Sequence, residues 1–167
     1  LISTMRWKIT LKSKAEFYQA ISYEMQQLHG RMADIGCRTY GLGASALNQT
    51  IILANDHRLT RQQHIMFALA DMAANVEIGA SLARKAAGCA QRGDSEAHKI
   101  KIIARLFAAE VARVVCQNIL QIVMGCGQFD EKATADFLES VAYSELTAGL
   151  YNMIPEMDQL ADIVFER

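Results

Sequence analysis

The fold of this chain is decided by residues 60–91, which read TRQQHIMFALADMAANVEIGASLARKAAGCAQ. Apolar or small residues recur here in alternating steps of four and three, the period of a helix that buries one face. This inner stripe comprises Ile65, Leu69, Met72, Val76, Gly79, Ala83 and Ala86. The spacing is typical of helices that pack side by side in a bundle.

The middle of this predicted helix is built from small residues. Gly79, Ala80 and Ala83 have little or no side chain, so a second helix can approach them closely. We expect these three residues to form an interface for helix docking.

A second long helix is predicted at about residues 95–124. Its polar residues fall along one narrow line, and nearly every other position is apolar. The line consists of Lys101, Arg105, Arg113, Gln117 and Gln121. Such a narrow polar strip indicates a central helix that is buried on most of its sides.

The rest of the chain predicts shorter helices around this long pair. They lie at about 14–36, 44–57, 132–148 and 155–165. Gly36 suits a helix stop, Tyr40-Gly41-Leu42-Gly43 has the composition of a turn, and Pro155 suits the first turn of the last helix. We therefore predict an all-α fold: an up-down four-helix bundle with short additional helices.

Charge is distributed unevenly along the 167 residues, although the net charge is only −1. We predict a bundle domain at 13–167, preceded by an extended basic arm at 1–12 that bears Trp7. Residues 130–167 instead carry nine acids against two basic residues. Two differently charged solvated faces would explain this pattern, and so would an arm that meets an anionic membrane or an acidic partner. Lysine and arginine do not cluster clearly on one face, so the sequence does not predict nucleic-acid binding.

The sequence contains no pattern typical of a metal site or of a disulfide bond. No Glu-x-x-His pair occurs, and the four histidines lack the spacing of a zinc site, so no metal is expected. The four cysteines form no Cys-x-x-Cys pair, which favours free thiols in a reducing compartment, such as a bacterial cytoplasm. No uninterrupted apolar run reaches the roughly 18 residues that span a bilayer.

Three stretches arrive with the spacing of a known family. They are Leu69-Ala70-Asp71-Met72, the run LFAAEVA at 106–112, and Gln121-Ile122-Val123-Met124-Gly125-Cys126-Gly127. Over about 62–127 the chain resembles the C-terminal helical domain of acyl-CoA dehydrogenases. In that family the last stretch is a flavin-contact turn of the form Q-I-x-G-G-x-G. The resemblance implies that Gln121, Gly125 and Gly127 are the remains of a cofactor-binding turn, with Met124 in place of its first glycine.

The catalytic base of the family is lost in the same comparison. About twenty residues after the turn, the family has a glutamate in an E-G-T triplet, and an ungapped count places Ala148-Gly149-Leu150 there. A methyl group cannot abstract a proton. Two other carboxylates remain as candidate bases. Glu145 lies one helical turn before Ala148, and Glu24 lies within two residues of where some relatives carry the base.

With these residues replaced, the chain resembles one branch of the family more closely. Very-long-chain acyl-CoA dehydrogenases carry an additional helical domain after the catalytic one, and it is a degenerate copy of the same bundle linked to membrane attachment. The resemblance implies FAD in the parent enzyme but no cofactor on this chain. It also implies that the partners are other domains or subunits of a homo-oligomeric acyl-CoA dehydrogenase, with membrane contact as a further option.

Three hypotheses follow. The favoured one is a non-catalytic helical domain of an acyl-CoA dehydrogenase that serves subunit assembly or docking to a membrane or partner. The alternative is a divergent catalytic C-terminal domain of a FAD-dependent enzyme that uses Glu145 or Glu24 as base. The third is an unrelated helical interaction module, whose alanine- and leucine-rich composition produces the resemblance.

Overall fold

The computed structural model describes residues 16–166, and the predicted arm at 1–12 with Trp7 lies outside them. All regular structure in the described part is helical, which confirms the all-α prediction. Its α-helices are α1 Glu16–Arg31, α2 Cys37–Asp56, α3 Gln63–Arg92, α4 Ala97–Gly125, α5 Glu131–Ser140, α6 Tyr143–Thr147 and α7 Met153–Val164. Short 3₁₀ turns lie at Ala33–Ile35, Leu59–Arg61 and Ala148–Leu150.

The first four helices form the bundle. α1 packs against α2, α3 packs against α4, and α2 contacts both α3 and α4. Of the three short helices, α6 and α7 contact α4 directly, and α5 contacts α6. All seven residues of the predicted inner stripe of α3 are buried, as the spacing predicts. On α4, Arg113, Gln117 and Gln121 are exposed, whereas Lys101 and Arg105 are half-buried.

The prediction for the second helix was wrong at its start. Residues 40–43 are not a turn, because α2 runs without a break from Cys37 to Asp56. A Cβ atom at Gly41 would lie 3.3 Å from the carbonyl oxygen of Ser22, and one at Gly43 would lie 3.0 Å from a methyl of Val111. The two glycines therefore allow α1 and α4 to approach α2 closely.

Two other boundaries also differ from the predictions. α1 ends at Arg31, five residues before the predicted stop, and Gly36 (φ 76°) instead marks the entry to α2. The helix predicted at 132–148 is divided, because Ala142 adopts a left-handed conformation (φ 52°) between α5 and α6. Pro155 lies in the first turn of α7, as predicted.

α3 and α4 are long and apolar enough to cross a membrane by length and composition alone. In this structure, 44% of the relevant stretch of α3 and 56% of that of α4 are buried within the chain. Core helices of globular domains commonly have this composition, so the place of α3 and α4 in the bundle accounts for it.

Candidate functional site

The position that an ungapped count assigns to the family's base is Ala148, in the 3₁₀ turn Ala148–Leu150, which packs against α4. Ala148 is exposed and lines a cavity of about 300 Å³, whose wall also includes Arg38 and Arg105. Gly149 allows the turn to pack closely against α2, because a Cβ atom at this position would lie only 2.8 Å from the side chain of Thr39. The glycine of the triplet is therefore required by the packing, but the position before it offers only a methyl group.

Glu145, the first candidate base, is held in an ion pair across the bundle. Its Oε2 accepts a hydrogen bond of 2.7 Å from Nη2 of Arg38, which lies at the start of α2. Both side chains are more than half exposed. This carboxylate is hydrogen-bonded to a cation and open to water, whereas a general base in a closed site needs to reach its substrate proton directly.

Glu24, the second candidate, pairs with Arg84 of α3. The two carboxylate oxygens accept hydrogen bonds of 2.6 Å each from Nε and Nη2 of Arg84. These hydrogen bonds lower the pKa of Glu24, because they stabilise its ionised form, and the nearby positive charge adds to the effect. A lowered pKa makes a carboxylate a weaker proton acceptor.

The structure does not bring the two candidate bases together. Glu24 lines a cavity of about 500 Å³ between α1 and α3, together with Tyr23, Arg31 and Arg84. Glu145 instead pairs with Arg38, whose side chain lines the separate cavity at Ala148. Glu145 is not among the residues that line the cavity at Glu24, so the two carboxylates do not share one cavity.

Residues 121–127, which resemble a flavin-contact turn and are called the degenerate turn below, lie at the end of α4. Gln121 and Gly125 line a cavity of about 250 Å³ with His64 and Cys126, and Gly127 adopts a left-handed conformation (φ 68°) just beyond the helix. The wall of this cavity offers amide, imidazole and thiol groups but no lysine or arginine. A phosphate in this cavity would therefore meet only amide, imidazole, thiol and backbone groups. Among residues 16–166, no cluster of three metal-ligating side chains occurs.

Comparison with known proteins decides the family. Residues 19–157 match the family described as acyl-CoA dehydrogenase, C-terminal domain. The chain belongs to this family. The hypothesis of an unrelated interaction module is therefore wrong.

Individual relatives agree with the family match. The chain is 27% identical over 120 residues to a probable acyl-CoA dehydrogenase, fadE25, of Mycobacterium leprae, covering 69% of this chain and 31% of that protein. It is 26% identical over 140 residues to a mitochondrial isobutyryl-CoA dehydrogenase of Dictyostelium discoideum, covering 78% and 33%. The chain thus spans about a third of the length of these relatives. No solved structure matches it significantly.

These matches support the acyl-CoA dehydrogenase family as a whole. They do not single out its very-long-chain members, so that finer resemblance stays a proposal.

The small residues predicted as an interface lie inside this acyl-CoA dehydrogenase domain. Gly79, Ala80 and Ala83 are all buried. A Cβ atom at Gly79 would lie 2.4 Å from the ring of Tyr40, so the glycine makes room for this ring in the core. The hydroxyl of Tyr40 donates a buried hydrogen bond of 2.5 Å to the carbonyl oxygen of Ala104. The close docking expected here takes place between the chain's own helices, and these residues present no surface to a partner.

Sequence reasoning missed the role of Arg105. Its Nε donates a 2.6 Å hydrogen bond to Glu156 of α7, and its Nη1 donates one of 2.8 Å to the backbone oxygen of Asp34. At 26% and 23% exposure, Arg105 and Glu156 form the least exposed ion pair that the structure describes. The sequence shows Arg105 only as part of a polar strip, and its partners lie 51 and 71 residues away.

The pair between Glu24 and Arg84 gives a testable pH dependence. Because the folded-state pKa of Glu24 is lowered, its stabilising effect is present above the unfolded-state pKa of about 4.5 and is lost as pH falls through the folded value. Both side chains are nearly half exposed, so solvent screening limits the pair to about 0.5 kcal/mol. We expect Glu24→Gln to lower the free energy of unfolding by that amount at pH 7, measured by urea denaturation.

At pH 3 the difference between Glu24→Gln and the parent chain should shrink. Glu139→Gln changes another exposed glutamate and serves as the matched control. An equal loss of stability in both variants at both pH values would contradict a specific pair.

Proposed function

We propose that this chain is a non-catalytic helical domain of an acyl-CoA dehydrogenase polypeptide and that it serves subunit assembly or docking. One observation carries the proposal: both candidate carboxylates, Glu24 and Glu145, are engaged by arginines, while an ungapped count puts Ala148 at the family's base position. The parent polypeptide would bind FAD through its other parts. The additional helical domain that the sequence resembles in very-long-chain members would be a domain of this kind.

The chemistry of the family supports this reading. Removal of a proton beside a thioester carbonyl needs a carboxylate within hydrogen-bond reach of the substrate. Neither described candidate is free to serve, since Arg84 binds both oxygens of Glu24 and Arg38 binds Glu145. The degenerate turn has also lost its first glycine to Met124, whose side chain is 65% exposed. The bundle persists, while the residues that would hold flavin and base do not.

Flavin reduction in the natural full-length polypeptide that carries this chain tests the proposal. Flavin bleaching should be followed anaerobically after mixing with acyl-CoA thioesters of several chain lengths. If the parent enzyme reduces its flavin, we expect Glu24→Gln and Glu145→Gln to leave the rate unchanged within about twofold. A true base contributes at least about a hundredfold, so the two readings are well separated. Glu139→Gln is the control for a surface change.

The alternative of a divergent catalytic domain is favoured by one observation. Glu24 lines a cavity of about 500 Å³, a size that suits a small ligand. If Glu24 were the base, Glu24→Gln would abolish bleaching while Arg84→Gln would raise the pKa of the freed carboxylate and shift the pH profile upward. Either result would replace the proposal of a non-catalytic domain.

A further inference from the structure

Helix α7 presents an apolar stripe to the outside of the domain. We define the α7 stripe as Ile154, Met157, Ala161 and Val164. Successive residues of a helix are about 100° apart, so these four fall within an arc of about 80°. Ile154 is 68% exposed, Met157 49% and Val164 54%. Isolated exposed apolar residues are common, but a row of them on one helix face marks a binding surface.

The orientation of α7 is fixed by contacts on its other side. Met153, Glu156, Leu160 and Ile163 share a second arc of the helix and are half-buried. α7 packs against α4, and the pair between Glu156 and Arg105 ties the two helices together. α7 is thus apolar over a wider arc than the one that contacts the bundle. These contacts leave the α7 stripe on the outer side of the helix.

The third arc of α7 is acidic. Asp158 and Asp162 lie one turn apart beside the stripe, and the helix carries no lysine or arginine. The same sign continues through the neighbouring segment, where residues 130–167 hold nine acids against two basic residues. The negative charge beside the stripe disfavours some binding partners. An anionic membrane would be repelled, and a symmetric pairing with α7 of a second copy would set acids against acids.

We infer that the α7 stripe binds an amphipathic helix of a partner protein, with an apolar face flanked by lysine or arginine. The apolar face would cover Ile154, Met157 and Val164, and the flanking cations would meet Asp158 and Asp162. This inference rests on the proposed docking function and supplies its surface and the chemistry of its partner. Helix-in-groove recognition of this kind needs anchors at steps of three and four, which the stripe provides.

Two model peptides test the inference on the natural full-length polypeptide. Both are fluorescently labelled helices of about four turns with the same leucine face, and one is flanked by lysines while the other is flanked by glutamates. We expect the lysine peptide to bind at least about tenfold more tightly in anisotropy titrations. Asp158→Asn/Asp162→Asn should weaken its binding several-fold and reduce the dependence of affinity on salt.

Variants of the stripe separate specific from general binding. Met157→Gln/Val164→Gln should weaken the lysine peptide at least about tenfold, with unchanged helicity by circular dichroism. Ile78→Gln alters a side chain of similar exposure on α3 (56%) and should leave the affinity unchanged. Absence of binding, equal affinity for both peptides, or insensitivity to the stripe variant would overturn the inference.

Two further outcomes would assign the stripe to another occupant and so overturn the inference. One is binding to phosphatidylserine vesicles that is lost in Met157→Gln/Val164→Gln. The other is a dimer, seen by analytical ultracentrifugation, that the same variant dissociates. The failure of the proposed function is distinct, because it appears in the flavin assay with Glu24→Gln or Glu145→Gln and leaves peptide binding untouched.

Discussion

Gly79→Ala is expected to destabilise this domain by about 3 kcal/mol, although it adds a single methyl group. That methyl would lie 2.4 Å from Cε1 of Tyr40, far inside van der Waals contact. The ring of Tyr40 is fully buried and its hydroxyl is bound to the backbone of Ala104, so it has nowhere to move. The melting temperature of a domain of this size should fall by roughly 9 °C, measured by circular dichroism.

Gly88→Ala is the matched control on the same helix. A Cβ atom at Gly88 would meet only the far end of the flexible Arg92 side chain, at 3.2 Å. Because alanine favours a helix interior by up to about 1 kcal/mol over glycine, this variant should be neutral or stabilised. Similar behaviour of the two alanine variants would show that Tyr40 does not pack against Gly79.

A second change separates overpacking from a general defect of α3. Tyr40→Leu removes the ring that Gly79→Ala would strike. The double variant should therefore lose at least about 1 kcal/mol less than the sum of the two single losses. Strict additivity in urea denaturation would contradict a direct contact between these two residues.

The two long helices could be predicted from the sequence because their signal is periodic. An uninterrupted stripe from Ile65 to Ala86 identifies the buried face of α3 without any knowledge of its partners. A glycine gives no comparable periodic signal of its structural role. The composition at Gly41 and Gly43 predicts a turn, yet both residues lie inside α2, where their missing side chains leave room for Ser22 and Val111 of neighbouring helices. Composition alone cannot distinguish a glycine that bends the chain from one that allows close packing.

The candidate site shows a similar division. The assignment of Ala148 to the base position comes from counting along the sequence, whereas the close packing of Gly149 against Thr39 is seen only in the structure. The partners of the candidate bases could not be foreseen, because Arg38 lies 107 residues from Glu145 and Arg84 lies 60 residues from Glu24. Ion pairs over such separations depend on how helices are arranged, and a single sequence gives no measure of that arrangement.

Ile119→Ala should also destabilise the domain by about 3 kcal/mol. Ile119 is fully buried on α4, in the core shared by the bundle helices. Its truncation removes apolar surface from the core and leaves a cavity that rigid neighbouring helices cannot fill. Urea denaturation should show a lower midpoint with an unchanged slope, since the folded state keeps its architecture.

Met124→Ala is the control for Ile119→Ala. Met124 lies on the same helix but is 65% exposed, so its truncation leaves no cavity and should change the stability by less than about 0.5 kcal/mol. Equal losses of stability in the two variants would contradict this dependence on burial. A small effect at Met124 beside a large one at Ile119 would mean that the bundle is stable through its own core.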